Sequence, residues 1–152
     1  MRAKISEALK AAVKSQEKLR ISTLRLVNAA IGDRDIALRG QGKEKASDED
    51  IVDLLSRMIK QREESARLYR EGGRSELETQ ELEEITIIRE FLPAQLSPEE
   101  TSKVVAKAIS ELGATSLRDM GKVMAFLKEN YRGRLDMANA GALLKAKLGA
   151  AR

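Results

Sequence analysis

Both prolines of this 152-residue chain fall inside one ten-residue run, Phe91-Leu92-Pro93-Ala94-Gln95-Leu96-Ser97-Pro98-Glu99-Glu100. Proline bars its predecessor from the helical region, so Pro93 forces Leu92 out of any helix that reaches it. Pro98 occupies the first helical position behind an N-cap Ser97, with Glu100 where a capping-box carboxylate belongs. One helix ends and another begins here, and the domain boundary is placed here: residues 1–93 as an N-terminal helical domain, residues 94–152 as a three-helix tail. Elsewhere only ten glycines punctuate the chain. Ala, Leu, Glu, Lys and Arg dominate, and these are the strongest helix formers. The expected class is all-α, an antiparallel helical bundle followed by the small tail.

The periodicity fills in that outline. Ile5, Leu9 and Val13 recur at helical spacing, which predicts a first amphipathic helix to about Gln16. A second runs from about Glu17 to Arg39, with Leu24, Val27 and Ile31 inward, and breaks at Gly40-Gln41-Gly42-Lys43. Ser47 caps a third, carrying Ile51, Leu54, Leu55, Met58 and Ile59 and stopping near Gly72-Gly73. The fourth, about Glu76 to Leu92, turns Leu82, Ile85, Ile88 and Leu92 inward. Its Glu78, Glu81, Glu83, Glu84 and Glu90 form a solvated face. Helix five spans Pro98 to Leu112 with Gly113 as a left-handed cap. A sixth buries Met120, Val123, Met124 and Leu127, and a seventh after Asp136 buries Leu143, Leu144 and Leu148. Gly121 inside helix six costs roughly 1 kcal/mol relative to Ala, so close approach of another helix, or of a ligand backbone, is expected there.

Charge is distributed in three blocks. Met1–Ala46 has 11 Lys/Arg against 5 Asp/Glu, Ser47–Glu100 has 7 against 15, and Thr101–Arg152 has 10 against 4. Either the acidic block neutralises the first basic one, or the basic final third faces a polyanion. Cysteine and histidine are absent. Thiolate metal sites, a Cys nucleophile and a histidine general base are therefore excluded. The scattered carboxylates propose no metal cluster, and no cofactor is expected. Gly40-Gln41-Gly42-Lys43 lacks the spacing and preceding strand of a phosphate loop. No apolar run reaches the roughly 18 residues of a membrane span, and residence in the cytoplasm is the default expectation.

What remains is cations. Lys122, Lys128, Arg132, Arg134, Lys145 and Lys147 gather in the last third. With Gly133 between them, Arg132 and Arg134 can set a guanidinium pair and backbone amides beside a phosphate. The alternative is a merely solvated surface. Aromatics make up only 3% of the chain, too few for stacking unpaired bases, so a nucleic acid here would be read by backbone and shape, as folded RNA is.

Several runs resemble the GatB/YqeY family. They are Asp119-Met120-Gly121-Lys122-Val123-Met124 after Gly113-Ala114-Thr115-Ser116, and Phe91 to Ser97. With them go Leu24-Arg25-Leu26-Val27-Asn28-Ala29-Ala30-Ile31 and Lys60-Gln61-Arg62-Glu63-Glu64-Ser65 with Tyr69, Gly73 and Arg74. Gly133-Arg134-Leu135-Asp136 matches the family's Gly-x-x-Asp turn. The match covers nearly the whole chain in one order. Where many relatives have a glycine after the Val-Met pair, Ala125-Phe126 stands here. The resemblance implies a two-part helical fold like the C-terminal portion of the B subunit of glutamine-dependent aminoacyl-tRNA amidotransferase, whose tail contacts tRNA. The family is associated with carbon–nitrogen ligation using glutamine as amide donor. The chain lacks the catalytic cradle and an amidase triad, so autonomous activity is not expected. The expected role is a tRNA-binding accessory module of translation, with no catalytic residue and with Gly121, Lys122, Lys128, Arg132, Gly133, Arg134 and Lys145 as the nucleic-acid contacts. An amidotransferase or aminoacyl-tRNA synthetase is a possible partner, and neither membrane nor metal is. The alternatives are a protein–protein adaptor working through the Glu-rich fourth helix or the groove between the two parts, and a partner-dependent amidotransferase component.

Overall fold

The computed structural model describes residues 1–150, so the last two residues of the expected tail lie outside it. Seven α-helices and one 3₁₀ turn make up the described chain, and no strand occurs among these residues. The helices are α1 (Arg2–Lys14), α2 (Lys18–Arg39), α3 (Asp48–Glu71), α4 (Ser75–Arg89), α5 (Pro98–Leu112), α6 (Met120–Asn130) and α7 (Met137–Ala150). The 3₁₀ turn, Leu117–Asp119, precedes α6. The all-α expectation holds. The chain forms two compact units, Met1–Leu92 and Pro93 onward, each with its own aliphatic core.

In the first unit, α1 runs antiparallel to α2, and α3 to α4. Arg2 at the start of α1 forks onto Asp35 near the end of α2, and Arg20 at the start of α2 pairs with Glu90 just past α4. On the α3–α4 hairpin, Arg70 meets Glu78 and Arg62 meets Glu84. The core is Ile5, Leu24, Val27, Ile31, Leu38, Ile51, Leu55, Ile59 and Ile88, with Ala12 and Phe91 closing it. Interleaved branched aliphatics of this kind suit closely spaced helices.

Several local expectations need correction. Helix α1 stops at Lys14, and Gln16 takes a left-handed turn at φ 57°. Val13 is 47% exposed, because Ile5 and Ala12, seven residues apart, carry the buried line. Helix α4 ends at Arg89, with Glu90 as its C-cap. Phe91 N–H and Leu92 N–H then reach back three residues to Ile88 and Arg89 at 3.2 and 3.1 Å. This tightened exit rotates Phe91 into the core before Pro93 arrives. Leu82, expected inward, is 44% exposed, and Glu84, expected in solvent, is 8% exposed. Arg62 explains the inversion: its Nε donates to Glu84 Oε2 at 3.1 Å, so the hairpin centre is held by an ion pair where a leucine was expected.

The second unit packs α5, α6 and α7 around Val105, Ala108, Val123, Leu127, Leu135, Ala140, Leu144 and Leu148. Leu143, Met120 and Met124, expected inside, are half-buried; Ala140 takes the inner position one turn before Leu144. Ser97 accepts from Glu100 N–H and Glu100 Oε1 accepts from Ser97 N–H, both at 3.1 Å, which completes the capping box of α5. Gly113 closes α5 in the left-handed conformation at φ 64°.

Candidate nucleic-acid interface

The second unit begins with an extended strap, Pro93 to Ser97, that has no helix of its own. Its backbone groups must find partners elsewhere, and they find them on the turn after α6. Leu96 N–H donates to the Arg134 carbonyl at 2.9 Å. Arg134 Nε donates to the Ala94 carbonyl at 3.1 Å. The Gln95 side-chain amide donates to the Gly133 carbonyl. The turn is shaped by Gly133 at φ 77°, a region where a side chain is strained, and by Arg134 N–H on the Tyr131 carbonyl at 2.9 Å. Leu135 sinks into the core immediately afterward. Asp136 Oδ1 then accepts from Ala138 N–H at 3.0 Å and starts α7. Two runs that carry the family resemblance, Phe91–Ser97 and Gly133–Asp136, are thus bonded to each other.

The third run serves the fold as well. Asp119 Oδ2 accepts from Thr115 N–H at 2.9 Å and Ser116 N–H at 3.2 Å. These bonds, with Lys122 nearby, hold its carboxyl below the usual range. Lys122 Nζ donates to the Leu112 carbonyl at 2.9 Å. It is a cation on the carbonyl end of α5, where the helix dipole favours it. Similarly, Glu100 is held low by the Ser97 amide and hydroxyl, with Arg134 and Lys103 adding to the effect.

The seven residues singled out in the sequence lie on α6, on its exit turn and on α7. Lys128, Arg132, Gly133 and Arg134 follow one another at the C-terminal end of α6 and on its exit turn. Lys122 is six residues earlier, about 9 Å up the axis and about 120° around it. Lys145 projects from α7 and is exposed, as is Lys128. Among the described residues, neither of these two lysines makes a hydrogen bond or ion pair. Arg132 is half-buried. Gly121 corrects an expectation: a Cβ built there meets nothing within 4 Å, so neither a neighbouring helix nor crowding explains it. Its place in the exposed first turn of α6 leaves it outside any packing constraint. The sequence reading missed Gln95 and the anchoring duty of Arg134. Their partners lie 38 and 40 residues away, and no local spacing signals such a bond.

A family model described as Yqey-like protein matches residues 2–148. The chain belongs to that family. No individual curated protein matches it. The family's span covers both units, so the strap and its turn lie well inside the matched region.

The charge blocks also resolve. Arg62, Arg67, Arg70 and Arg89 of the acidic block pair within that block, on Glu84, Glu64 and Glu71, Glu78, and Glu63. Arg20–Glu90 and the N-terminal amine on Asp48 link the first block to it. In the second unit an ion pair joins Lys107 to Glu111 at 3.8 Å, one turn apart. Among the described residues no three or more carboxylates gather so as to hold a metal ion, and no described helix is long and apolar enough to cross a membrane.

Proposed function

We propose that the second unit is a tRNA-binding accessory module, performing no bond-making step itself, as the resemblance to the amidotransferase tail implies. The observation that carries this reading is the strap lock. It holds the turn of Arg132, Gly133 and Arg134 in one conformation by bonds to Ala94, Gln95 and Leu96, while Lys128 stands exposed one turn before it. A preformed turn with cations on it contacts phosphates without ordering a loop on binding. Lys145 would extend the same charge along α7. Arg134 would serve twice, since a guanidinium has five N–H donors and Ala94 takes one. Lys122, engaged at the end of α5, is the weakest of the proposed contacts.

The adaptor reading is less favoured, because Glu78, Glu84 and Glu90 of the fourth helix and its cap are engaged by arginines of the same chain. A role as partner-dependent amidotransferase component would show as faster amidation of Glu-tRNA in a reconstituted mixture. Filter binding of total tRNA over a salt series tests the main reading. Affinity should fall with salt at about 0.7–0.9 log units per log unit for each phosphate neutralised, and a weak, salt-insensitive interaction would reject it.

A further inference from the structure

Helix α2 carries on its outer side a stripe that leaves large apolar residues in solvent. Arg25, Leu26, Ala29, Asp33, Ile36 and Ala37 are all exposed, and at 100° per residue they fall within about 120° of arc. Leu26 is 51% exposed and Ile36 66% exposed. Single exposed aliphatics need no explanation. These two share one face of one helix, about 15 Å apart along its axis, with the small Ala29 between them. Arg25 and Asp33 on the same stripe have no ion-pair or hydrogen-bond partner among the described residues, although other arginines of this unit are engaged by carboxylates.

We propose that this stripe is the interface between two copies of the chain, their α2 helices packed antiparallel about a two-fold axis level with Ile31. Leu26 and Ala37 lie on one flank of the stripe, Arg25 and Ile36 on the other. An antiparallel two-fold keeps each flank on its own side. Leu26 therefore falls on the partner's Ala37, and Ile36 on the aliphatic stem of the partner's Arg25. Large meets small or slender on both flanks, and Ala29 at the midline allows axes to approach to about 8 Å. Asp33, near the midline, comes within one turn of the partner's Arg25, and the symmetry makes that ion pair twice. The stripe is self-complementary in shape and charge, which a face for an unrelated partner need not be. Six residues a side is far fewer than the roughly 20–30 of a standard interface, so the dimer is weak, with Kd on the order of 100 µM.

Sedimentation equilibrium from about 10 µM to about 1 mM tests this. The wild-type chain is expected to pass from monomer to dimer over that range. Ile36→Glu should weaken the dimer tenfold or more while circular dichroism stays unchanged, because the residue is exposed. Arg25→Asp and Asp33→Arg should each weaken it by like-charge repulsion, and the double reversal should restore it. Because the chain has no cysteine, Ala29→Cys introduces a single thiol that a short bis-maleimide should cross-link between copies, whereas Ser6→Cys, at an exposed position of α1, should not. A monomer throughout, or a dimer that ignores both Ile36→Glu and the charge reversals, overturns the proposal; the second result would mean that the stripe serves another occupant. None of these residues belongs to the proposed RNA site, so the two ideas fail independently.

Discussion

Arg134 Nε donates to the Ala94 carbonyl oxygen at 3.1 Å, joining residues 40 apart in sequence. Together with Gln95 on Gly133, this bond makes the entry strap of the second unit and the turn after α6 one structural piece. Arg134→Ala should therefore lower the stability of that unit by about 1.5–3 kcal/mol, the range for a hydrogen bond to a charged group. Urea denaturation followed by circular dichroism measures it. Weaker RNA binding by this variant alone would not separate a missing phosphate partner from a loosened turn.

The two glycines proposed near the ligand should respond in opposite directions. Gly133 sits at φ 77°, and alanine there should destabilise by about 1–2 kcal/mol. Gly121 lies in helix with open space where a Cβ would stand, and alanine there should stabilise by about 0.5–1 kcal/mol. Thermal unfolding of both variants checks the signs. If Gly121→Ala stabilises yet abolishes tRNA binding, a ligand backbone does approach that turn.

Glu84 and Arg62 form a largely buried pair at the centre of the α3–α4 hairpin, their side chains 11% and 13% exposed. Removing one partner leaves a charge in a poorly solvated place, so Glu84→Ala should cost about 3 kcal/mol. Replacing both, with Arg62→Met and Glu84→Leu, should cost clearly less, because no charge is then stranded. Equilibrium denaturation of the single and double variants gives the coupling directly.

Asp35 gives the chain an acid-sensitive clasp. Arg2, bonded to it in a fork, and the Ala46 amide hold its carboxyl down to about 2, from an ordinary 3.8. A lowered carboxyl stabilises the fold fully above its unfolded value and loses that contribution as pH falls toward its folded one. Stability should decline between about pH 4 and pH 2. Asp35→Asn should be less stable at pH 7 and show a flatter decline across that window, measured by denaturation midpoints at each pH.

The helical outline was legible because its signals are local. Ser97, Pro98 and Glu100, within four residues, place the start of α5, and Gly113 places its end; the structure puts both boundaries where those residues predict. Val13, Leu82 and Glu84 were misread because their faces depend on what packs against them. Glu84 is inside only because Arg62, 22 residues earlier, meets it. The same limit governs the candidate site. Residue types announced a basic tail, but Lys122 turned out to anchor the end of α5, and Gln95 gained its role from a carbonyl brought near by the fold. Spacing within one helix cannot encode a bond between a strap and a distant turn.

The most direct test of the central claim compares tRNA affinity across a salt series for the wild-type chain and a Lys128→Ala/Lys145→Ala variant. Neither lysine holds the fold together, so stability should be unchanged. The wild type should bind at low salt with a steep dependence, and the variant's slope should be shallower by about 0.7–0.9 for each phosphate no longer neutralised. An unchanged slope, or no tRNA binding by the wild type at low salt, would contradict the account.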